Sequence, residues 1–140
     1  MRYSSSASLA YLYQEKPETV IPKQIIQLVA IDKFREMALS YAEAIEFPHF
    51  ELTAFSVNKK IFATLDVKRQ RACLMLSPID QSVFIAFDQT VIYPVPNKWG
   101  KNGATYVELK TVRKTMLKDG LRKAYQKALS GKENPTVKDR

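Results

Sequence analysis

The sequence predicts an α+β domain of two layers, an antiparallel five-stranded sheet covered by helices in the order α-β-β-β-α-β-β-α. Three observations carry this expectation. Apolar residues recur at three and four positions from Phe34 to Ile45 and again from Leu117 to Ala128. Between these segments lie short runs that alternate at period two. The connections between those runs are too short for parallel crossovers and imply hairpins. A chain of 140 residues with 46% hydrophobic side chains fits one domain with a self-sufficient core.

Residues 1–31 read as an N-terminal extension. Three serines, scattered tyrosines, Pro17 and Pro22 show no sustained period, and Lys23 to Ile31 suits either a helical turn or a short strand. The domain proper is expected over residues 32–131. Asp32 is the expected N-cap of a first helix whose inner face is Phe34, Met37, Ala38, Tyr41, Ala42 and Ile45, with Pro48 stopping it. Three strands follow: Phe50 to Phe55, a turn at Asn58-Lys59, Ile61 to Leu65, and, past the loop Asp66 to Gln70, Arg71 to Leu76. Ser77-Pro78 begins a second helix, with Ser77 as cap, Pro78 in the first turn and Asp80 as the capping-box acid. Val83, Phe84 and Phe87 are its expected inner face, and Asp88-Gln89 closes it.

The stretch Val91 to Leu109 organises the remainder. It holds the only Trp, two of the four glycines and two of the seven prolines, and it reads as a strand, an exposed turn from Pro96 to Gly103, and a second strand. The last helix runs from beyond Thr111 to about Ser130, with Leu117, Leu121, Ala124, Tyr125 and Ala128 buried and Gly131 past its end. Gly120 weakens its middle by roughly 1 kcal/mol relative to Ala. Residues 132–140 are a polar C-terminal tail.

Composition excludes several chemistries. One His and one Cys, distant in sequence, supply no metal-ligand cluster, and no cofactor is expected. Cys73 lies in the apolar run Ala72 to Leu76 and reads as a small buried hydrophobe. His49 sits in an expected loop with no partner for nucleophilic catalysis. Glu51 and Glu108 are expected on the wet faces of strands. Gly100-Lys101-Asn102-Gly103 precedes a strand rather than a helix, so it is a turn needing positive φ and not a phosphate loop. The chain is therefore expected to be no enzyme. No apolar run reaches the roughly 20 residues that cross a bilayer, and the short patch Leu9 to Tyr13 makes a poor signal peptide, so no membrane is expected.

The residues Lys60-Ile61-Phe62-Ala63-Thr64-Leu65, Leu74 to Pro78, Tyr93-Pro94-Val95-Pro96-Asn97-Lys98-Trp99-Gly100-Lys101-Asn102-Gly103, Thr105 to Leu109 and Leu121 to Tyr125 resemble, in order and spacing, the MmcQ/YjbR family over about Asp32 to Leu129. The resemblance implies a small cytoplasmic bacterial domain folded like type III secretion chaperones. It implies no enzymatic activity and a DNA-binding label through a double-wing arrangement. Ala104 stands where the family often has a second Trp, and the first 30 residues have no clear counterpart.

With 22 basic and 14 acidic side chains the chain carries a net charge of +8, which favours polyanionic partners. Lys59, Lys60, Lys68, Arg69 and Arg71 fall at hairpin tips or strand starts, and Lys98 and Lys101 flank Trp99. These eight residues are the expected nucleic-acid contacts, with cations on phosphates and Trp99 stacked on a base. The competing reading is a solvated rim with Trp99 packed under Pro94 or Pro96. Two further readings stand beside DNA: a module that pairs with another protein or with itself, and a small-ligand binder near Trp99.

Overall fold

The computed structural model describes residues 23–130, with side chains from residue 30 onward. The extension and tail expected at the two ends fall largely outside these residues. The elements are α1 (Lys23–Leu39), β1 (Ile45–His49), β2 (Leu52–Val57), β3 (Lys60–Asp66), β4 (Arg71–Met75), α2 (Pro78–Phe87), β5 (Ile92–Pro94), α3 (Asn97–Lys101), β6 (Ala104–Glu108) and α4 (Lys114–Ser130). The fold class is α+β as expected, but the sheet has six strands rather than five. It is antiparallel in the order β1-β2-β3-β4-β6-β5, and the element order is α-β-β-β-β-α-β-α-β-α.

The extra strand is β1. Pro48 does not end a helix; it lies within β1 and pairs with Thr53. β1 is the edge of the sheet, where a residue without an N–H costs no ladder bond on its outer side. Phe50, at φ 60°, and Glu51 form the turn to β2, so neither belongs to a strand. The expected first helix is also displaced. α1 begins at Lys23, Asp32 lies inside it rather than capping it, and it ends at Leu39. Tyr41 sits beyond the helix and still packs inward, stacked on Tyr125 at 4.5 Å and edge-on to Phe62. The Tyr125 hydroxyl donates to the Ala42 carbonyl at 2.8 Å, which ties this connection to α4. Ala42 and Ile45 are exposed, and Ile45 opens β1.

Other expectations hold. Asn58 and Lys59 both have positive φ (52° and 67°), the signature of a two-residue hairpin turn matched to strand twist. Ser77 caps α2, accepting from the Asp80 N–H at 3.0 Å. Leu117, Leu121, Ala124, Tyr125 and Ala128 are all buried on α4. Gly120 faces the sheet, and a Cβ there would meet Leu74 Cδ1 at 2.9 Å, so its propensity cost permits a close helix–sheet approach.

One core joins the layers. Phe34 and Ala38 of α1, Phe84 of α2 and the inner face of α4 pack with Phe55, Phe62, Leu65, Ala72, Leu74 and Val107 of the sheet. Phe34 and Phe55 meet edge to face at 5.6 Å and are fully buried. Truncating Phe55 to Ala removes that contact and leaves a cavity. It is expected to cost about 3–5 kcal/mol, read as a lower urea midpoint with an unchanged slope.

Candidate nucleic-acid interface

The strand register sorts the eight expected contact residues into two groups. β3 runs from Lys60 to Asp66, about 20 Å. Val57 pairs with Lys60 and Met75 with Ala104, so the β2–β3 turn and α3 share one end of the sheet. Asp66, Arg71 and Glu108 align across β3, β4 and β6 at the other end. The structure thus brings Lys59, Lys60, Lys98, Trp99 and Lys101 to one end and Lys68, Arg69 and Arg71 to the opposite one.

The two groups differ chemically. At the Arg71 end the two arginines are engaged, while Lys68 is exposed and makes no salt bridge among the described residues. Arg69 bonds Asp66 at 2.9 Å, and the Arg69 N–H donates to the same carboxylate at 3.1 Å. Burial works to raise the Asp66 carboxyl, but these bonds and the charges of Arg69 and Arg71 outweigh it and hold it below its ordinary range. The Arg71 guanidinium lies 3.8 Å from the centroid of the Tyr106 ring, a cation–π contact. The Tyr93 hydroxyl donates to Glu108. Burial opposes the Arg71 charge, yet the nearby Tyr93, Tyr106 and Glu108 more than offset it. Arg71, Tyr93, Tyr106 and Glu108 thus form a polar cluster on the sheet face turned away from the helices.

At the other end Lys59, Lys98 and Lys101 are exposed, Lys60 is half-buried, and none of the four makes a salt bridge among the described residues. Trp99 is 62% exposed, so it is not packed beneath Pro94 or Pro96. The Pro96 to Gly103 segment is more ordered than a simple turn. α3 occupies Asn97–Lys101, and Gly100 is buried where a Cβ would fall 1.8 Å from the Val95 carbonyl oxygen. Gly103 carries the expected positive φ, 112°, against the Leu76 carbonyl.

A residue outside the expected set positions α3. Gln81 of α2 is buried, and its Nε2 donates to the carbonyls of Gly100 (2.9 Å) and Ala104 (3.1 Å) and to Thr105 Oγ1 (3.1 Å). This inward amide turns α2 about its axis. Phe84 still faces the core, but Val83 and Phe87, expected inward, are 52% and 70% exposed, and Ile79 is 75% exposed. Gln81 stands between Asp80 and Ser82 in a polar run, so the sequence carries no local signal that it faces inward.

The remaining candidates are not brought together. Glu51 lies in the β1–β2 turn and Glu108 on β6, three strands away from that hairpin's inner strand. His49 ends β1 rather than lying in a loop, with its ring 4.8 Å from Phe50 and 6.3 Å from Phe47. Among the described residues no three His, Cys, Asp or Glu side chains could share a metal ion, and no helix is long and apolar enough to cross a membrane. A cavity of about 330 Å³ between α1 and α4, lined by Met37, Leu109, Val112 and Leu117, includes none of the eight residues.

The arrangement defines a class: a small α+β domain with helices on one face of a six-stranded antiparallel sheet. Among solved structures it is similar to Deinococcus radiodurans protein DR2400, described as carrying domain DUF419, with a TM-score of 0.61 and 22% sequence identity over 74% of this chain and 80% of that one. At that identity the likeness is one of fold. No family model and no curated protein matches the sequence.

Removing the Gln81 amide takes the second donor from the carbonyls of Gly100 and Ala104, which keep the N–H of Gly103 and of Val95, each at 3.0 Å, and takes the donor from Thr105 Oγ1. Gln81→Ala is expected to cost about 1–3 kcal/mol in urea unfolding. Cys73 supplies a separate check, since burial pushes its thiol up to about 11 against an ordinary value of 9.0. A raised folded value means its contribution to stability is complete below pH 9 and lost as pH climbs toward 11. At pH 8 its alkylation in the native protein is expected to be about a hundredfold slower than in the urea-unfolded chain.

Proposed function

We propose that the protein is a non-enzymatic MmcQ/YjbR-like domain that binds DNA through the end of the sheet formed by the β2–β3 turn and α3. The observation that carries this reading is Trp99, exposed on a short helix between Lys98 and Lys101, with Lys59 and Lys60 at the same end. An exposed Trp is unusual on a solvated rim and useful against a base or sugar face. β3 and β6 are two strand spacings apart, about 10 Å, so the lysines of the turn and of α3 can meet phosphates of one strand. The net charge of +8 supplies non-specific attraction. Arg69 and Arg71 have smaller parts than their position at a hairpin tip suggests, because Asp66 and Tyr106 already hold them.

Fluorescence anisotropy with a labelled duplex and a labelled single strand tests this. Affinity is expected to fall as salt rises, because each neutralised phosphate sheds counterions. Lys98→Ala and Lys101→Ala should each lower the log–log salt slope by about 0.7–0.9, while Lys68→Ala leaves it unchanged. Trp99→Ala should weaken single-strand binding by about 1–3 kcal/mol. Absence of binding to either DNA at low salt removes the reading, and a slope that responds to Lys68 alone moves the site to the opposite end.

A further inference from the structure

α2 presents a whole face that nothing among the described residues covers. Ile79, Ser82, Val83, Ala86 and Phe87 follow one another at i, i+3, i+4, i+7 and i+8, and all five are exposed. None is charged, on a chain of net charge +8. A solvated helix normally puts charge on such a face and apolar bulk beneath it, and here Gln81 holds the reverse arrangement in place. Contiguous exposed apolar side chains mark an interaction surface more often than a solvated one.

We propose that this face pairs with the same face of a second copy, the two α2 helices antiparallel about a two-fold axis through Val83. The pattern is self-complementary. The smallest of the three large side chains, Val83, is central, with Ile79 and Phe87 four residues to either side, about 6 Å along the axis. A two-fold sets Val83 against Val83 and Ile79 against the second copy's Phe87. Ser82 and Ala86 leave room for the backbones to approach.

Charge complementarity selects this orientation and this occupant. Asp80 flanks the face at the Ile79 end. Arg113 borders Phe87 at the other end, sharing the concavity beside it with Asp88 and Asp119. Asp119 bonds Arg122 at 3.2 Å, whereas Asp88, whose Oδ1 accepts the N–H and hydroxyl of Thr90, keeps its charge, and Arg113 adds to those bonds in holding its carboxyl below the ordinary range. Neither Asp80 nor Arg113 makes a salt bridge among the described residues. The antiparallel pair brings Asp80 of each copy to Arg113 of the other, twice, whereas parallel helices would oppose Asp80 to Asp80. A ten-residue helix covers less than the roughly 800 Å² per partner of a stable complex, so the association is a reversible one in the micromolar range or weaker.

Sedimentation equilibrium of the full chain near physiological salt, up to roughly millimolar concentration, tests the pairing. A monomer–dimer equilibrium is expected. Val83→Glu should weaken it at least about tenfold, with the circular dichroism melt showing that the fold is kept. Asp80→Arg and Arg113→Asp should each weaken it, and the double exchange should restore it. Phe50→Ser, at a side chain exposed elsewhere, should leave it unchanged. A chain that stays monomeric throughout overturns the proposal, as does a dimer that survives Val83→Glu. If the exchanged pair fails to recover association, the antiparallel arrangement is wrong. A monomer that dimerises only when residues 1–22 are deleted shows that segment to be the occupant instead.

Discussion

The carboxamide of Gln81 is buried where α2, α3 and β6 meet, and a buried amide must find its hydrogen bonds inside the protein. Its nitrogen serves two carbonyls and a threonine hydroxyl from positions 19 to 24 residues downstream. The Thr105 hydroxyl donates in turn to the Gly103 carbonyl at 2.8 Å, which leaves its oxygen free to accept from Gln81. Two carbonyl acceptors also fix which way the amide points. This set of bonds decides the rotation of α2, seats α3 on the sheet and turns Trp99 outward. Gly100 and Gly103 complete the fit, since any side chain there would collide with the Val95 or Leu76 carbonyl.

The sheet imposes a second constraint, because its register decides which loops can cooperate. Antiparallel hairpins send alternate turns to opposite ends, so basic residues close in sequence are not close in space. Lys60 and Lys68 are eight positions apart, yet a whole strand lies between them. The far face of the sheet carries an uncharged row across all six strands, Phe47, Ala54, Thr64, Cys73, Tyr106 and Tyr93, paired in that order. Aromatic rings at its two sides flank small side chains in the middle. Ala54 is fully buried there although no helix among the described residues covers that face.

Much of the fold was legible in the sequence because its signals are local. The α4 face follows from period 3.6, the β2–β3 turn from Asn58-Lys59, and the α2 start from Ser77-Pro78. β1 was hidden because five residues containing a proline look like a break, and only the edge position makes the proline harmless. Tyr41 belongs to the core without belonging to α1, so the apolar period ran past the helix end. The rotation of α2 had no one-dimensional signature strong enough to read. An apolar pattern assigns Val83 and Phe87 inward by default, and the bonds that reverse it come from residues far along the chain. The candidate site was legible as a set of residue types and not as a place. Counting cations at turns cannot tell which turns share an end, nor that Arg69 and Arg71 already have partners.

The direction of α2 settles how the two proposed surfaces relate. The helix leaves β4 at the Lys60 end and returns the chain to β5 near Val107, toward the Arg71 end. Two copies joined antiparallel along it point their Lys98–Lys101 segments in opposite directions. Such a pair offers two separate basic ends rather than one continuous basic face. Each copy would engage its own stretch of polyanion, and contact with phosphate at α3 neither needs nor obstructs the α2 face. Salt separates them as well. Phosphate contacts weaken as counterions become plentiful, whereas apolar pairing between two chains of net charge +8 is hindered mainly by long-range repulsion that salt screens. The exposed Trp99 and the exposed Phe87 therefore answer to different physics, although the same buried amide places both.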